Sequence, residues 1–227
     1  MSREPRSSEA AEANVSRETL ASVFGDDEER IDRAEDYVGL LRTAGIERGL
    51  IGPREVPRLW GRHVLNSAVV GELIEPEADV VDVGSGAGLP GIPLALARPD
   101  LWVTLVEPMQ RRVTFLEEVV ALLGIDNVEV LRARAEEVSP LGKADAVVSR
   151  AVAPLGRLAD WCLPVARKGG AMLAIKGRSA AEEIERDEGR IRAAGGGEVT
   201  VERCGASKLR EPAFTVPTTV VRAVRIR

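Results

Sequence analysis

The sequence predicts a three-layer α/β sandwich. A mostly parallel, Rossmann-like seven-stranded sheet is closed at one edge by an antiparallel pair and preceded by a helical extension. Three observations carry this. From residue 79 onward, short apolar runs alternate with segments of helical period. The first run, Val80-Val81-Asp82-Val83, enters a loop containing Gly84, Gly86, Gly88 and Gly91. The last two runs have no helix between them, only Cys204 to Val216 with Pro212, so they pair as antiparallel neighbours.

Residues 1–15 are small, polar and charged, and read as a disordered acidic tail. Residues 16–75 read as a helical extension. Ile31, Ala34, Tyr37, Val38 and Leu41 recur at helical spacing, and Gly45 is the expected stop. Val56, Leu59, Trp60, Val64, Leu65, Ala68 and Val69 continue the pattern, with Arg58, Arg62, His63 and Asn66 on its polar face. Pro76 closes the extension, and residues 76–227 form the α/β domain. Its strands are expected at 79–83, 102–106, 128–131, 145–149, 171–176, 198–203 and 217–226, and its helices at 90–98, 109–123, 154–166 and 179–194.

Composition limits the function. A chain of 227 residues with 44% hydrophobic content builds one ordinary core. No apolar run reaches the ~18 residues of a membrane span. The N-terminus lacks the apolar centre of a secretory signal, and Cys162 and Cys204 show no metal or redox spacing. These features predict a cytoplasmic protein with no resident metal. Net charge is −5, but residues 1–36 hold 11 acids against 5 basic residues, while Arg203 to Arg227 hold six basic residues and only Glu211. An acidic tail beside a near-neutral body with basic clusters is compatible with RNA contact.

The glycine loop grips a nucleotide-like cofactor. Glycines let the backbone turn sharply and let a ligand approach. Gly86-x-Gly88-x-x-Gly91 is a literal dinucleotide fingerprint, which by itself is unspecific. Glu107 ends the second strand, 23 residues after Gly84, where an acid accepts from ribose hydroxyls in NAD and S-adenosylmethionine alike. Three features favour S-adenosylmethionine. Asp82 precedes the loop, where it can place the loop or meet the methionine amino group. Arg134-Ala135-Glu136-Glu137 follows the third strand, where a small residue and an acid flank an adenine. The chain is too short for the second domain that hydride transfer usually brings.

The motifs Arg62-His63-Val64-Leu65-Asn66-Ser67, Asp82 to Pro93, Arg111-Arg112-Val113-Thr114-Phe115-Leu116, Arg134-Ala135-Glu136, Ser149-Arg150-Ala151 and Lys176-Gly177 span residues 62–177. Through them the chain resembles the RsmG (GidB) family, which methylates guanine N7 in small-subunit (16S) ribosomal RNA. The resemblance implies a class I S-adenosylmethionine-dependent methyltransferase fold. It implies cofactor contacts at Gly84, Leu89, Ala135, Glu136 and Arg150, and as target the guanine at position 527, in the 530 loop. Asn66 stands where Asp is expected in many members.

The residues agree with such an acceptor. The turn after the fourth strand, Ser149-Arg150-Ala151-Val152-Ala153-Pro154, lacks the Asn/Asp-Pro-Pro-aromatic pattern of base-amine methylation. Cys162 lies in an apolar helix pattern and reads as packing, not as a nucleophile. Guanine N7 has an available lone pair and needs no general base. Arg150 is the leading functional residue, binding the cofactor carboxylate or orienting guanine by its O6 and N7 edge. Lys176 ends the fifth strand and holds an RNA phosphate or shapes the acceptor pocket. His63, the single histidine, joins these two as a catalytic candidate. Asp82, Gly84, Gly86, Leu89, Glu107, Ala135 and Glu136 are the cofactor set, and Arg62, Arg111, Arg112 and Lys176 the RNA set. Nothing in the sequence requires an oligomer, so a monomer acting on 16S rRNA or the small subunit is expected. The competing functions are an NAD-type oxidoreductase and a non-catalytic S-adenosylmethionine- or RNA-binding module.

Overall fold

The computed structural model describes residues 15–138, 142–150, 153–211 and 217–227. The expected tail lies outside the described residues apart from Val15, as do Ala151 and Val152 of the turn after the fourth strand and Pro212. Seven strands form one sheet: β1 (Asp79–Val83), β2 (Trp102–Val106), β3 (Val128–Leu131), β4 (Ala144–Arg150), β5 (Ala166–Lys176), β6 (Gly196–Cys204) and β7 (Thr218–Arg225). Their order is β3-β2-β1-β4-β5-β7-β6. The first five are parallel, and β7 lies antiparallel between β5 and β6. Strand order reverses between β1 and β4, which opens a crevice at the carboxyl ends of the strands, where such sheets bind ligands.

The helices are α1 (Arg17–Phe24), α2 (Glu28–Leu40), the single turn α3 (Asn66–Ala68), α4 (Gly91–Ala97), α5 (Gln110–Leu123), α6 (Ala135–Val138), α7 (Leu155–Cys162) and α8 (Ala180–Ala193). Alternation along the strands sends Val80, Leu105 and Val148 to one face of the sheet, and Val83, Val106 and Val147 to the other. The first face packs on α1, α2, α4 and α5, the second on α6, α7 and α8. Asp27 caps α2 by accepting from the N–H groups of Glu29 and Arg30. The predicted stripe Ile31, Ala34, Tyr37, Val38 and Leu41 is buried throughout. The extension thus shares one apolar core with the sheet.

Three expectations change. Gly45 does not stop the helix. It sits buried in a wide π-type turn (Leu41–Gly45), and the chain turns at Gly49, whose φ of 67° lies in the left-handed region. The helical pattern over 53–65 is a 3-10 segment (Pro53–Arg58) followed by a second π-type turn (Leu59–Leu65). Pro57 has no N–H to continue a regular helix. The wider turn brings His63 inward, with 12% of its side chain exposed, so His63 leaves the expected polar face. The predicted helix over 154–166 ends at Cys162, because β5 begins at Ala166 and pairs with β4 from Ala144. A Cβ at Gly170 would come within 2.8 Å of the Ala144 and Asp145 carbonyls, so glycine permits the crossing. Cys162 is fully buried, as read, and burial raises its thiol pKa.

The glycine loop between β1 and α4 is held from two sides. From below, Asp82 Oδ2 accepts from Gly91 N at 3.0 Å, and a Cβ at Gly91 would approach that oxygen to 2.8 Å. From the extension, the single tyrosine, Tyr37, donates to the Ala87 carbonyl at 2.8 Å. Gly88, with φ 96°, leaves room for this contact, since a Cβ there would lie 3.0 Å from the Tyr37 hydroxyl.

Two outcomes follow from this clamp. Tyr37→Phe strips a buried carbonyl of its donor and should destabilise the fold by ~1–3 kcal/mol in chemical denaturation; an unchanged midpoint would show that the hydroxyl does not anchor the loop. Asp82 is fully buried, and burial raises its carboxyl from 3.8 to about 7, opposed by the bonds from Gly91 and Ser85. Between those values the folded chain keeps a proton that the unfolded chain has released, so stability falls as pH rises through the window. Asp82→Asn should flatten that slope by up to ~1.4 kcal/mol per pH unit, read from denaturation across the same range. An unaltered slope would place the titration elsewhere.

Candidate active site

Two adjoining clefts open at the carboxyl ends of β1, β2 and β4. The first is mostly apolar and is lined by Val83, Gly84, Glu107, Met109, Ala135 and Glu136, with Trp161 of α7 at its side. Its floor follows from the parallel register, which sets Val83 beside Val106. The second is polar and is lined by His63, Gly84, Gly86, Leu89, Arg112 and Arg150. Gly84 and Arg112 belong to both.

Glu107 is 1% exposed and ties the parts together. Its Oε2 accepts from Gly86 N at 3.0 Å, and its Oε1 from Met109 N at 3.0 Å. Arg112 Nη1 reaches Oε2 at 3.4 Å. A carboxylate has about four lone-pair positions. Accepting both hydroxyls of a ribose, as the sequence suggested, therefore requires Glu107 to release a donor, and Arg112 is the most weakly held. Arg112 Nε is buried without a hydrogen-bond partner among the described residues, as is Asp82 Oδ1.

In the second cleft, Arg150 is largely buried. Its Nη1 donates to the His63 carbonyl at 3.0 Å and to Ser67 Oγ at 3.3 Å, and its Nη2 lies 3.0 Å from His63 Nδ1. His63 Nε2 lies 2.7 Å from Glu55 Oε2. An arginine only donates, so Nδ1 accepts and Nε2 carries the proton that Glu55 receives. Burial, followed by the charge of Arg150, lowers the imidazole to about 4 against the pull of Glu55, so His63 is neutral at pH 7. Burial likewise lowers Arg150 to about 10, which leaves it charged. Ser149 Oγ donates to the Val83 carbonyl at 2.9 Å and fixes the end of β4 against β1.

The predicted residues divide accordingly. Gly84, Ala135, Glu136 and Glu107 meet in the first cleft; Gly84, Gly86, Leu89, His63 and Arg150 meet in the second. Asp82 lies beneath the loop, bound to Gly91. Arg62 and Arg111 stand exposed at the surface, Arg62 paired with Glu55 at 3.3 Å. Arg112, expected as an RNA contact, lines both clefts. Lys176 stands apart from the other predicted residues. It lines neither cleft but a separate recess with Ser179, Glu182 and Arg186, where its Nζ donates to the Ala153 carbonyl at 3.0 Å and to Glu183 at 2.8 Å. Its charge is paired with Glu183, a contact that no sequence pattern announces. Sequence reasoning missed Glu55, Ser67, Met109 and Trp161. Two of them had a signal: Ser67 closes the motif that begins at Arg62, and Trp161 is an aromatic on the helix that follows β4.

The residues fit S-adenosylmethionine. An apolar slot flanked by Ala135 and Glu136 suits a purine, and the cleft that shares Gly84 with it offers the Arg150 cation to a carboxylate. A family model described as GidB, rRNA small subunit methyltransferase G, matches residues 30–211. The chain is 58% identical over 197 residues to the Ribosomal RNA small subunit methyltransferase G of Corynebacterium jeikeium, covering 86% of this chain and 87% of that protein. It is 55% identical over 226 residues to the enzyme of the same name from Rhodococcus jostii, covering 98% and 95%. Among solved structures, M. jannaschii TYW2 in complex with AdoMet shares the fold, with a TM-score of 0.52, 24% identity and coverage of 69% of this chain and 74% of that one. The two-cleft crevice and these relatives agree, and the chain belongs to the GidB family, the rRNA small subunit methyltransferase G enzymes, which depend on S-adenosylmethionine.

Proposed function

We propose that this protein methylates N7 of a guanine in 16S ribosomal RNA, the guanine at position 527 in the 530 loop, as a cytoplasmic monomer. The observation that carries the acceptor assignment is the double commitment of the single imidazole. His63 is neutral, its Nδ1 engaged by Arg150 and its Nε2 by Glu55. It is not free to act as a general base, and N7 needs none.

S-adenosylmethionine supplies an electrophilic methyl group on a sulfonium. Ala135, Glu136 and Met109 hold the adenine end, Glu107 the ribose, and Gly84, Leu89 and Arg150 the methionine end. Asp82 fixes the loop path and offers its free Oδ1 beneath it. Arg62 and Arg111, both exposed, contact RNA phosphates. Seven aromatic residues in the whole chain leave few stacking platforms, so RNA shape and phosphate contacts carry recognition. The chain's contribution to rate is orientation and proximity, which reach ~7–11 kcal/mol in well-ordered cases.

Incubation with labelled S-adenosylmethionine and either small subunits or free 16S rRNA should place the label on one guanine N7; transfer to another atom, or none, overturns the assignment. Arg150→Ala should raise the dissociation constant for S-adenosylmethionine by roughly 10–100-fold in calorimetry, the loss of charged hydrogen bonds. Normal cofactor affinity with transfer abolished would move Arg150 to the guanine. RNA affinity should fall steeply with salt, and Arg111→Ala should reduce the log–log slope by about 1. A flat salt titration would remove the phosphate contacts.

A further inference from the structure

Glu55 stands outside every motif of the chain, on the 3-10 segment between Pro53 and Pro57. Its carboxylate lies 2.7 Å from His63 Nε2, and the opposite ring nitrogen lies 3.0 Å from Arg150 Nη2. The three side chains form a line from the extension to the end of β4. His63 and Ser67 occupy three of the five donors of Arg150, leaving two for a ligand.

We propose that Glu55 is a positioning residue for the cofactor: it fixes the His63 ring, and through that ring it holds the Arg150 guanidinium aimed into the cleft beside Gly84 and Leu89.

The arrangement solves a physical problem. A carboxylate placed directly on Arg150 would orient it but neutralise the charge that an anionic ligand group needs. A neutral imidazole between them orients the guanidinium without pairing it. The carboxylate on Nε2–H stops the ring from turning and makes Nδ1 a stronger acceptor, as outer hydrogen bonds do for other imidazoles. The lowered pKa of His63 fits this role, because a proton on Nδ1 would face Arg150. The other charged or titratable groups that act on the line are Arg62, which pairs with Glu55 at 3.3 Å and is 56% exposed, Arg58, whose charge also favours the Glu55 carboxylate, and Tyr37, which adds a weaker field at Arg150.

The inference rests on Arg150 serving the cofactor, and the test separates the two. The chain has one histidine, so its imidazole signals are unambiguous in NMR. In the native protein a slowly exchanging, downfield Nε2–H resonance is expected. Glu55→Ala should abolish it and raise the S-adenosylmethionine dissociation constant ~10-fold by calorimetry, misplacement costs of this kind reaching ~100-fold. Glu55→Gln keeps the shape and an acceptor oxygen, so it should retain the resonance, moved upfield, with a smaller loss of affinity. It also carries the test should the alanine variant not fold. Native-like resonance and affinity in the variants would overturn the proposal. If Arg150→Ala weakens binding and the Glu55 variants do not, the relay alone fails. If Arg150→Ala binds normally, the reading of Arg150 fails with it.

Discussion

Two buried carboxylates at the ends of adjacent parallel strands set the path of the glycine loop, and the remainder of the site follows from that path. Asp82 closes β1 and accepts from Gly91 N; Glu107 follows β2 and accepts from Gly86 N and Met109 N. Where the acceptor is ionised, such bonds belong to the stronger class, worth ~1.5–3 kcal/mol each. Only a loop pulled down at both ends turns Gly84 toward both clefts at once. Glycine at position 91 is part of the same constraint, because any side chain there would displace Asp82.

The extension contributes function as well as cover. Tyr37 presses on the loop from α2, opposite Asp82, so the loop is clamped between the sheet and the extension. The next segment, irregular because of its prolines and its wide turn, brings Glu55 and His63 to Arg150. A regular α-helix through 53–65 would have kept His63 with Arg62 on the solvent side. The irregularity therefore matters for the site, as π-type turns often do.

The sequence made the sheet and the first cleft legible because both are local. An apolar run, an acid, glycines and a helix fix β1, the loop and α4 within twenty residues, and Glu107, Ala135 and Glu136 sit at the ends of the following strands. The antiparallel edge was legible from the missing helix before β7. What escaped was non-local pairing. Lys176 reads as an RNA or acceptor-pocket residue from its place at a strand end, and its pairing with Glu183, one turn into α8, is not visible there. Glu55 carried no signal, since a glutamate among prolines belongs to no periodic face. The early start of β5 depended on a backbone crossing at Gly170 that no pattern of side chains announces.

Arg150 and Asp82 differ from the paired charges of the site. Arg112 leans on Glu107, Arg62 on Glu55, and Arg150 reaches Glu55 through a neutral ring. Asp82 has only backbone and hydroxyl neighbours to support its charge, and its Oδ1 has no hydrogen-bond partner among the described residues. Burial without a cation is why its carboxyl rises to about 7. A positive charge placed above the loop would favour the ionised form and draw that value down.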